Sequence, residues 1–319
     1  MRSARITGWG TALPDKVVTN TDLEAMLDTN DEWIVERSGI RERRIGGTTS
    51  SLAVGAGTAA LRQAGVDATD IDLLVLCTTT PDQQVPATSA VVQHELGLRC
   101  GAMDLNAACS GFVYGLVTAH QFVASGAVDR VLLVGAETLS RITDWDDRST
   151  AVLFADGAGA VVLEAAEVDE ATGSHLLSWD LGCDGSARPI LDADIGGYIH
   201  MEGREVFRRA VRVMIDSGRR AFERAGVQPD DIALVVPHQA NVRIIESANA
   251  KLGLPMARTA VVLDRTGNTS SASIPLALVD AVRNGRLSPG DLVLFVGFGA
   301  GMTWASAIVR WDPPASAAS

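Results

Sequence analysis

Three residues stand where covalent chemistry could be done: Cys109 in "LNAACSGFVYGL", His238 in "VVPHQANVRI" and Asn268 in "DRTGNTSSASIP". A deprotonated thiol is a strong nucleophile, and imidazole is its usual partner. Each residue also has a plain reading. A cysteine among alanines and glycines is most often a small buried hydrophobe, and an asparagine before an apolar run often caps a helix or closes a turn. Position separates the two readings for the cysteine. "GAMDLNAA" reads as an apolar strand and "SGFVYGLVTAHQFVAS" spaces its apolar residues at helical intervals, so Cys109 falls at a strand-to-helix junction. Unpaired backbone N–H groups and the helix dipole favour a thiolate there, so its pKa is expected to be lowered. His238 follows Val236 by two residues, where a buried strand should give way to a loop. His94 and His120 sit in helical runs as surface or packing residues, and His175 and His200 have no neighbouring chemistry.

The elements that must position these residues recur along the chain. Residues 64–75, "AGVDATDIDLLV", and 225–236, "AGVQPDDIALVV", both read as a helix end, an acidic turn and a buried strand. Further on, "DRVLLVGAE" and "GDLVLFVGFGAG" repeat a turn and a strand ending in glycine at nearly the same offset. The chain therefore reads as two copies of one α/β unit, residues 1–168 carrying the cysteine and 169–319 carrying the histidine and asparagine, joined through the acidic "EAAEVDEATG". A site between the halves would draw residues from both.

Composition narrows the function. With 319 residues, 47% of them hydrophobic, the chain can bury a large core. A net charge of -12 argues against nucleic acid as a partner. No apolar run is long enough for a membrane span, and "ARITGWG" begins a strand at once without a signal sequence, so a cytoplasmic protein is expected. The four cysteines show neither C-x-x-C pairing nor histidines at ligand spacing, so no metal site and no disulfide framework is expected. Only "DPPASAAS" at 312–319 is of low complexity. "GAGTAA" at 55–60 fits a dinucleotide pattern, but it follows the polar "TTSSLAV" rather than a strand. "FADGAGAVVL" and "FGAGMTWASAIV" read as tight backbone turns beside a crowded centre.

Taken together, "NAACSGF", "VPHQANVRI", "GNTSSASIP" and "GFGAGMTWA", with the opening "TNTDLEAMLDTNDEWIVERSGIRERR", resemble the ketoacyl-acyl-carrier-protein synthase III enzymes of the thiolase superfamily. The resemblance runs from about residue 6 to residue 310 and implies a duplicated thiolase-like α/β fold, layered α-β-α-β-α, in a homodimer. It implies a Cys–His–Asn set in which Cys109 takes an acyl group from an acyl-CoA. His238 and Asn268 then donate hydrogen bonds to the enolate left when a malonyl-acyl-carrier-protein loses carbon dioxide. Backbone N–H groups of Cys109 and Ala300 would form the oxyanion hole. Coenzyme A is implied as part of the substrate, with no resident cofactor. Its adenine would lie between Trp33 and Arg148, with Arg37 near its phosphates and Asn241 along the pantetheine.

Val85, Phe298 and Met201 are implied as the acyl pocket. Val85 stands where acetyl-preferring members carry an aromatic that reaches the partner's pocket, which implies longer primers, and the 182–201 segment is shorter than the family's loop. Arg204, Arg208 and Arg212 recur every four residues, on a helix face that the resemblance puts near the mouth of the site. Arg208, Arg212 and Arg243 are therefore expected to meet the acidic carrier. A relative in specialised metabolism, passing its acyl group to an oxygen or nitrogen acceptor or priming a polyketide, would keep Cys109 and His238. Retention of Asn268 favours decarboxylation. A cysteine hydrolase or a nucleotide-binding module explains fewer of these motifs.

Overall fold

The computed structural model describes residues 2–168 and 173–314. The expected boundary after residue 168 abuts residues 169–172, and the low-complexity tail runs into 315–319; both segments lie outside the described residues. Nine longer strands are β1 (Arg2–Ala12), β2 (Leu73–Cys77), β3 (Gly101–Leu105), β4 (Arg130–Thr138), β5 (Asp156–Glu167), β6 (Leu176–Cys183), β7 (Ile232–Pro237), β8 (Leu292–Gly299) and β9 (Thr303–Arg310). The longer helices are α1 (Asp31–Ser38), α2 (Thr49–Ala64), α3 (Thr88–Glu95), α4 (Gly111–Ala124), α5 (Gly203–Ala225), α6 (Val242–Leu252) and α7 (Ser273–Arg283).

The first sheet runs β1-β5-β4-β2-β3 and the second β6-β9-β8-β7. In each, the first two pairings are antiparallel and the third is parallel. Apart from β3, which extends the first sheet alone by pairing with β2, the two sheets share one topology, and the repeated segments occupy equivalent places in them. α2 and α5 both end on a left-handed glycine, Gly65 and Gly226, before a short 3-10 turn and the strands β2 and β7. A glycine fits there because a Cβ is strained at positive φ.

Five layers follow from which faces are apolar. α4 and α7 lie between the sheets, and both are apolar nearly all round because both sides face a sheet. Phe112, Leu116, Ile274 and Leu278 pack there with Val75, Val161, Val236 and Phe295. α2 covers the outer face of the first sheet through Ala53, Ala56 and Ala60. α5 and α6 cover that of the second through Val206, Met214, Ile244 and Leu252. Each large side chain so buried contributes about 2 kcal/mol. The structure therefore has the duplicated, five-layered α-β-α-β-α arrangement expected.

"GAGTAA" lies inside α2, which opens on a Thr48–Ser51 capping box rather than after a strand. "FADGAGAVVL" departs from expectation, since Asp156–Glu167 is a central strand and not a turn. Its small residues let α7 close on the sheet, and a Cβ on Gly159 would stand 2.7 Å from Pro275 Cβ. None of the described helices is long and apolar enough to cross a membrane.

His120 is buried in the middle layer with Nε2 3.1 Å from Ser3 Oγ, while Nδ1 has no partner. Burial, with the nearby His175, lowers its pKa to about 4. A histidine depressed in the folded state stabilises fully above its unfolded value near 6.5, and that stability is lost as pH falls towards the folded value. Urea unfolding between pH 7 and 4 is expected to show His120 contributing a loss on the order of 3 kcal/mol. His120→Gln should flatten this slope, and an unchanged slope would refute the assignment.

Candidate active site

Cys109 sits in a 3-10 turn, Ala108–Ser110, between β3 and α4. The turn is tied to the second half of the chain: Thr303 Oγ1 donates to Ala107 O at 2.9 Å and lies 2.9 Å from Ser110 Oγ. Gly299 closes against it, and a Cβ there would stand 2.5 Å from the Cys109 nitrogen. Only glycine lets the end of β8 approach so closely.

His238 follows β7 directly, its backbone N–H donating to Val296 O at 2.8 Å. Its Nδ1 lies 2.7 Å from Ser273 Oγ at the start of α7, and Nε2 has no protein partner. The Phe298 ring meets the imidazole edge to face at 5.4 Å. Asn268 lies in the loop before α7, its backbone bonded to Leu153 O and Ala155 N at 2.9 Å each. Its Oδ1 accepts the Ser270 N–H at 2.9 Å, which leaves the amide NH2 as the end free to donate outwards.

Cys109, His238 and Asn268 line one cavity of about 130 Å³. An outer cleft of about 560 Å³, lined by Trp33, Arg37, Arg204 and Arg243, shares Met201, Phe207 and Asn241 with it, so a path runs from the surface to the thiol. On the other side of Cys109 a third cavity, about 400 Å³, is lined by Leu139, Ile142, Phe154 and Ile199, with Thr79 and Ala300.

The ionisation of Cys109 differs from expectation. Part of its surface opens to these cavities, but protein encloses the rest, and burial pushes the thiol up to about 12 despite hydrogen bonds from the Ser270 side chain and the local backbone. Desolvation is the largest cause and Glu137 adds to it, and both favour the neutral thiol. Burial lowers His238 to about 3, so its ring is neutral at physiological pH.

Two family models match, 3-Oxoacyl-(acyl-carrier-protein (ACP)) synthase III over residues 103–185 and its C-terminal counterpart over 222–311. A β-ketoacyl-(acyl-carrier-protein) synthase III of Erythrobacter litoralis is 52% identical over 98% of this chain and 100% of its own length. One from Roseiflexus sp. is 50% identical over 97% and 98%. This chain belongs to the ketoacyl-acyl-carrier-protein synthase III family. The solved synthase III of Aquifex aeolicus superposes with a TM-score of 0.94 at 45% identity, covering 97% of this chain and 100% of that one. The priming β-ketosynthase of the R1128 polyketide pathway superposes at 0.91 with 38% identity, covering 98% and 97%. The chain is thus an acyl-transferring condensing enzyme of the synthase III type with a thiolase-like fold.

The other residues expected from the resemblance are placed around these cavities and on the surface. Phe298 and Met201 line the cavity of His238 and Asn268, not the 400 Å³ cavity beyond Cys109, because β8 carries Phe298 back over the imidazole. Val85 is 84% exposed and borders none of these cavities within the single chain. The guanidinium of Arg148 already lies 4.6 Å from the Trp33 ring centroid, with that of Arg37 at 4.7 Å. A base can enter between Trp33 and Arg148 only if Arg148 swings away from its bond to Asp28 O.

Asn241 caps α6 and donates to Arg37 O at 2.7 Å, at the junction of cleft and cavity. Arg243 lies over the Phe207 ring at 5.9 Å. The basic face of α5 is partly neutralised: Arg208 makes a two-pronged bond to Glu205, and Arg212 lies 3.8 Å from Asp216. Arg208 and Arg209 together hold Glu205 down at about 2.

Sequence reasoning missed Glu137 and Ser273. Glu137 is fully buried at the end of β4 and accepts bonds from Thr79 N–H, Thr80 N–H and Thr80 Oγ1, and from Ser271 Oγ at 2.8 Å. It ties the loop after β2 to the loop of Asn268. A lone carboxylate closing the apolar run "VLLVGAE" was the signal available for it. Among the described residues no group of three metal-ligating side chains stands together.

Proposed function

We propose that this enzyme condenses an acyl-CoA with a malonyl-acyl-carrier-protein, releasing carbon dioxide and giving a 3-ketoacyl carrier protein. The observation that carries this reading is the convergence of Cys109, His238 and Asn268 on one small cavity reached from a cleft with arginines and a tryptophan at its mouth. In the first half-reaction Cys109 sulfur bonds to the acyl carbon, and its proton leaves with the CoA thiol. Donation from the Cys109 and Ala300 N–H groups holds the oxyanion, and losing one such donor costs about a hundredfold. In the second, the malonyl carboxylate departs as carbon dioxide and leaves its electron pair as an enolate, held by His238 and Asn268. The enolate carbon attacks the acyl group, and Cys109 regains a proton from solvent.

Coenzyme A enters as substrate, through Trp33, Arg37, Arg148 and Asn241, and no resident cofactor is required. We place the enzyme in the cytoplasm as a homodimer, in which Val85 of one protomer reaches the acyl cavity of its partner. A product two carbons longer than the primer, with one carbon dioxide per turnover, tests the reading; acyl transfer to an oxygen or nitrogen acceptor without malonyl would contradict it. The likeness to a polyketide priming ketosynthase at 38% identity supports a second setting for the same reaction, priming in specialised metabolism.

A cavity bounded by Leu139, Ile142, Phe154 and Ile199 accepts primers longer than acetyl, so Val85→Phe should reverse preference towards acetyl-CoA. Equal loss with all primers would instead mark nonspecific damage. The Arg208→Glu, Arg212→Glu double variant should raise KM for malonyl carrier protein several-fold at low salt and less at high salt, since rim charges act on association. A KM unchanged across a salt series, or an equal loss in acylation by acyl-CoA, would show that these arginines serve only their pairs with Glu205 and Asp216.

A further inference from the structure

We propose that Ser273 is a positioning residue that keeps the single ring proton of His238 on Nε2, making that atom a permanent hydrogen-bond donor. Ser273 Oγ lies 2.7 Å from His238 Nδ1, and it also accepts the backbone N–H of Gln239 at 3.3 Å. Ser273 is fully buried, and among the described residues its hydroxyl has no other partner. A serine hydroxyl has one proton to donate. If Nδ1 carried the ring proton, Ser273 Oγ would accept from both His238 and Gln239, and its own proton would be left in a dry interior with no acceptor. If Ser273 donates to Nδ1, Gln239 N–H bonds to Oγ and Oγ–H bonds to Nδ1, and the one proton without a protein acceptor is the one on Nε2, at the cavity that substrate enters. The second arrangement moves the unpartnered proton from the sealed interior around Ser273 to the cavity, where a ligand or water can accept it, and is favoured for that reason.

The frame around this relay is rigid. Gln239 is held at both ends of its side chain, donating to Pro237 O at 2.7 Å and accepting the Val262 N–H at 2.9 Å. The backbone N–H of His238 is bonded to β8, and Phe298 braces the ring. Ser273 itself begins α7, wedged between the two sheets. Neither ring nor hydroxyl can turn to exchange roles without breaking one of these contacts.

The consequence divides the labour at the site, given the condensation reading above. With Nδ1 occupied and Nε2 protonated, the neutral imidazole offers the cavity no lone pair. His238 therefore donates to the enolate oxygen and does not take the proton of Cys109, which leaves with the CoA thiol. The unpartnered Nε2 is this donor awaiting its acceptor.

The test reads the tautomer directly. In ¹⁵N-histidine-labelled enzyme, with His238 assigned by loss of its signals in His238→Gln, Nδ1 is expected at the unprotonated shift and Nε2 at the protonated shift throughout the neutral range. Ser273→Ala should shift the ring towards mixed tautomers and slow malonyl decarboxylation roughly tenfold or more, with acyl transfer to Cys109 little changed. Ser273→Thr, which keeps the hydroxyl, should restore the wild-type shifts. A wild-type proton on Nδ1, or Ser273→Ala with wild-type shifts, overturns the proposal. A wild type that never decarboxylates malonyl thioesters would instead overturn the functional reading, and its nitrogen shifts would still decide the tautomer.

Discussion

Cys109→Ser is expected to abolish acyl-enzyme formation, lowering the rate of acyl transfer at least about a thousandfold. Sulfur is the better nucleophile and the better leaving group, and both half-reactions need it. The high pKa of the buried thiol strengthens the expectation. Attack must expel a proton as the carbon–sulfur bond forms, and a serine hydroxyl in the same turn parts with its proton far less readily. The geometry makes the variant informative, since serine is close to cysteine in size and the turn is fixed by Ser110, Thr303 and Gly299. Labelling of the folded variant by radioactive acyl-CoA at the wild-type rate would remove Cys109 from the mechanism.

Asn268→Ala should leave Cys109 acylation within about threefold of wild type while slowing malonyl decarboxylation by about 10² to 10³. The reason lies in how the amide is held. Oδ1 is fixed by the Ser270 N–H, so the NH2 group can aim only at a ligand, and the oxygen that needs it appears when carbon dioxide leaves. The acylation oxyanion has its own donors in the backbone. Single-turnover acylation and release of labelled carbon dioxide separate the two steps, and equal losses in both would show that Asn268 serves the whole turn and not the enolate.

How much of this was legible in the sequence depended on the range of the contacts involved. Cys109, His238 and Asn268 were visible because each stands where an apolar run ends or a helical one begins, a local property of a dozen residues. The duplication was visible for the same reason, as helix end, acidic turn and strand repeat with similar residues at 64–75 and 225–236. "FADGAGAVVL" misled because its small residues answer to Pro275 on a distant helix, not to a bend in its own backbone. Ser273 and Glu137 were hidden likewise, their partners lying 35 and 134 residues away. The rise in the Cys109 pKa was not legible because the helix start is local and can be read, whereas enclosure by residues distant in the sequence, such as Ser270, Gly299 and Thr303, cannot. That Phe298 stands over the imidazole, in the cavity that Met201 and Cys109 share, depends on the path of β8 past His238 and could not be read locally.

Intact-protein mass spectrometry after incubation with a panel of acyl-CoAs tests the central claim most directly. A single adduct of the acyl mass is expected, mapped to Cys109, formed with primers longer than acetyl and discharged when malonyl carrier protein is added, with a 3-ketoacyl carrier as the product. No adduct on Cys109, or an adduct that water discharges as fast without malonyl as with it, would contradict it.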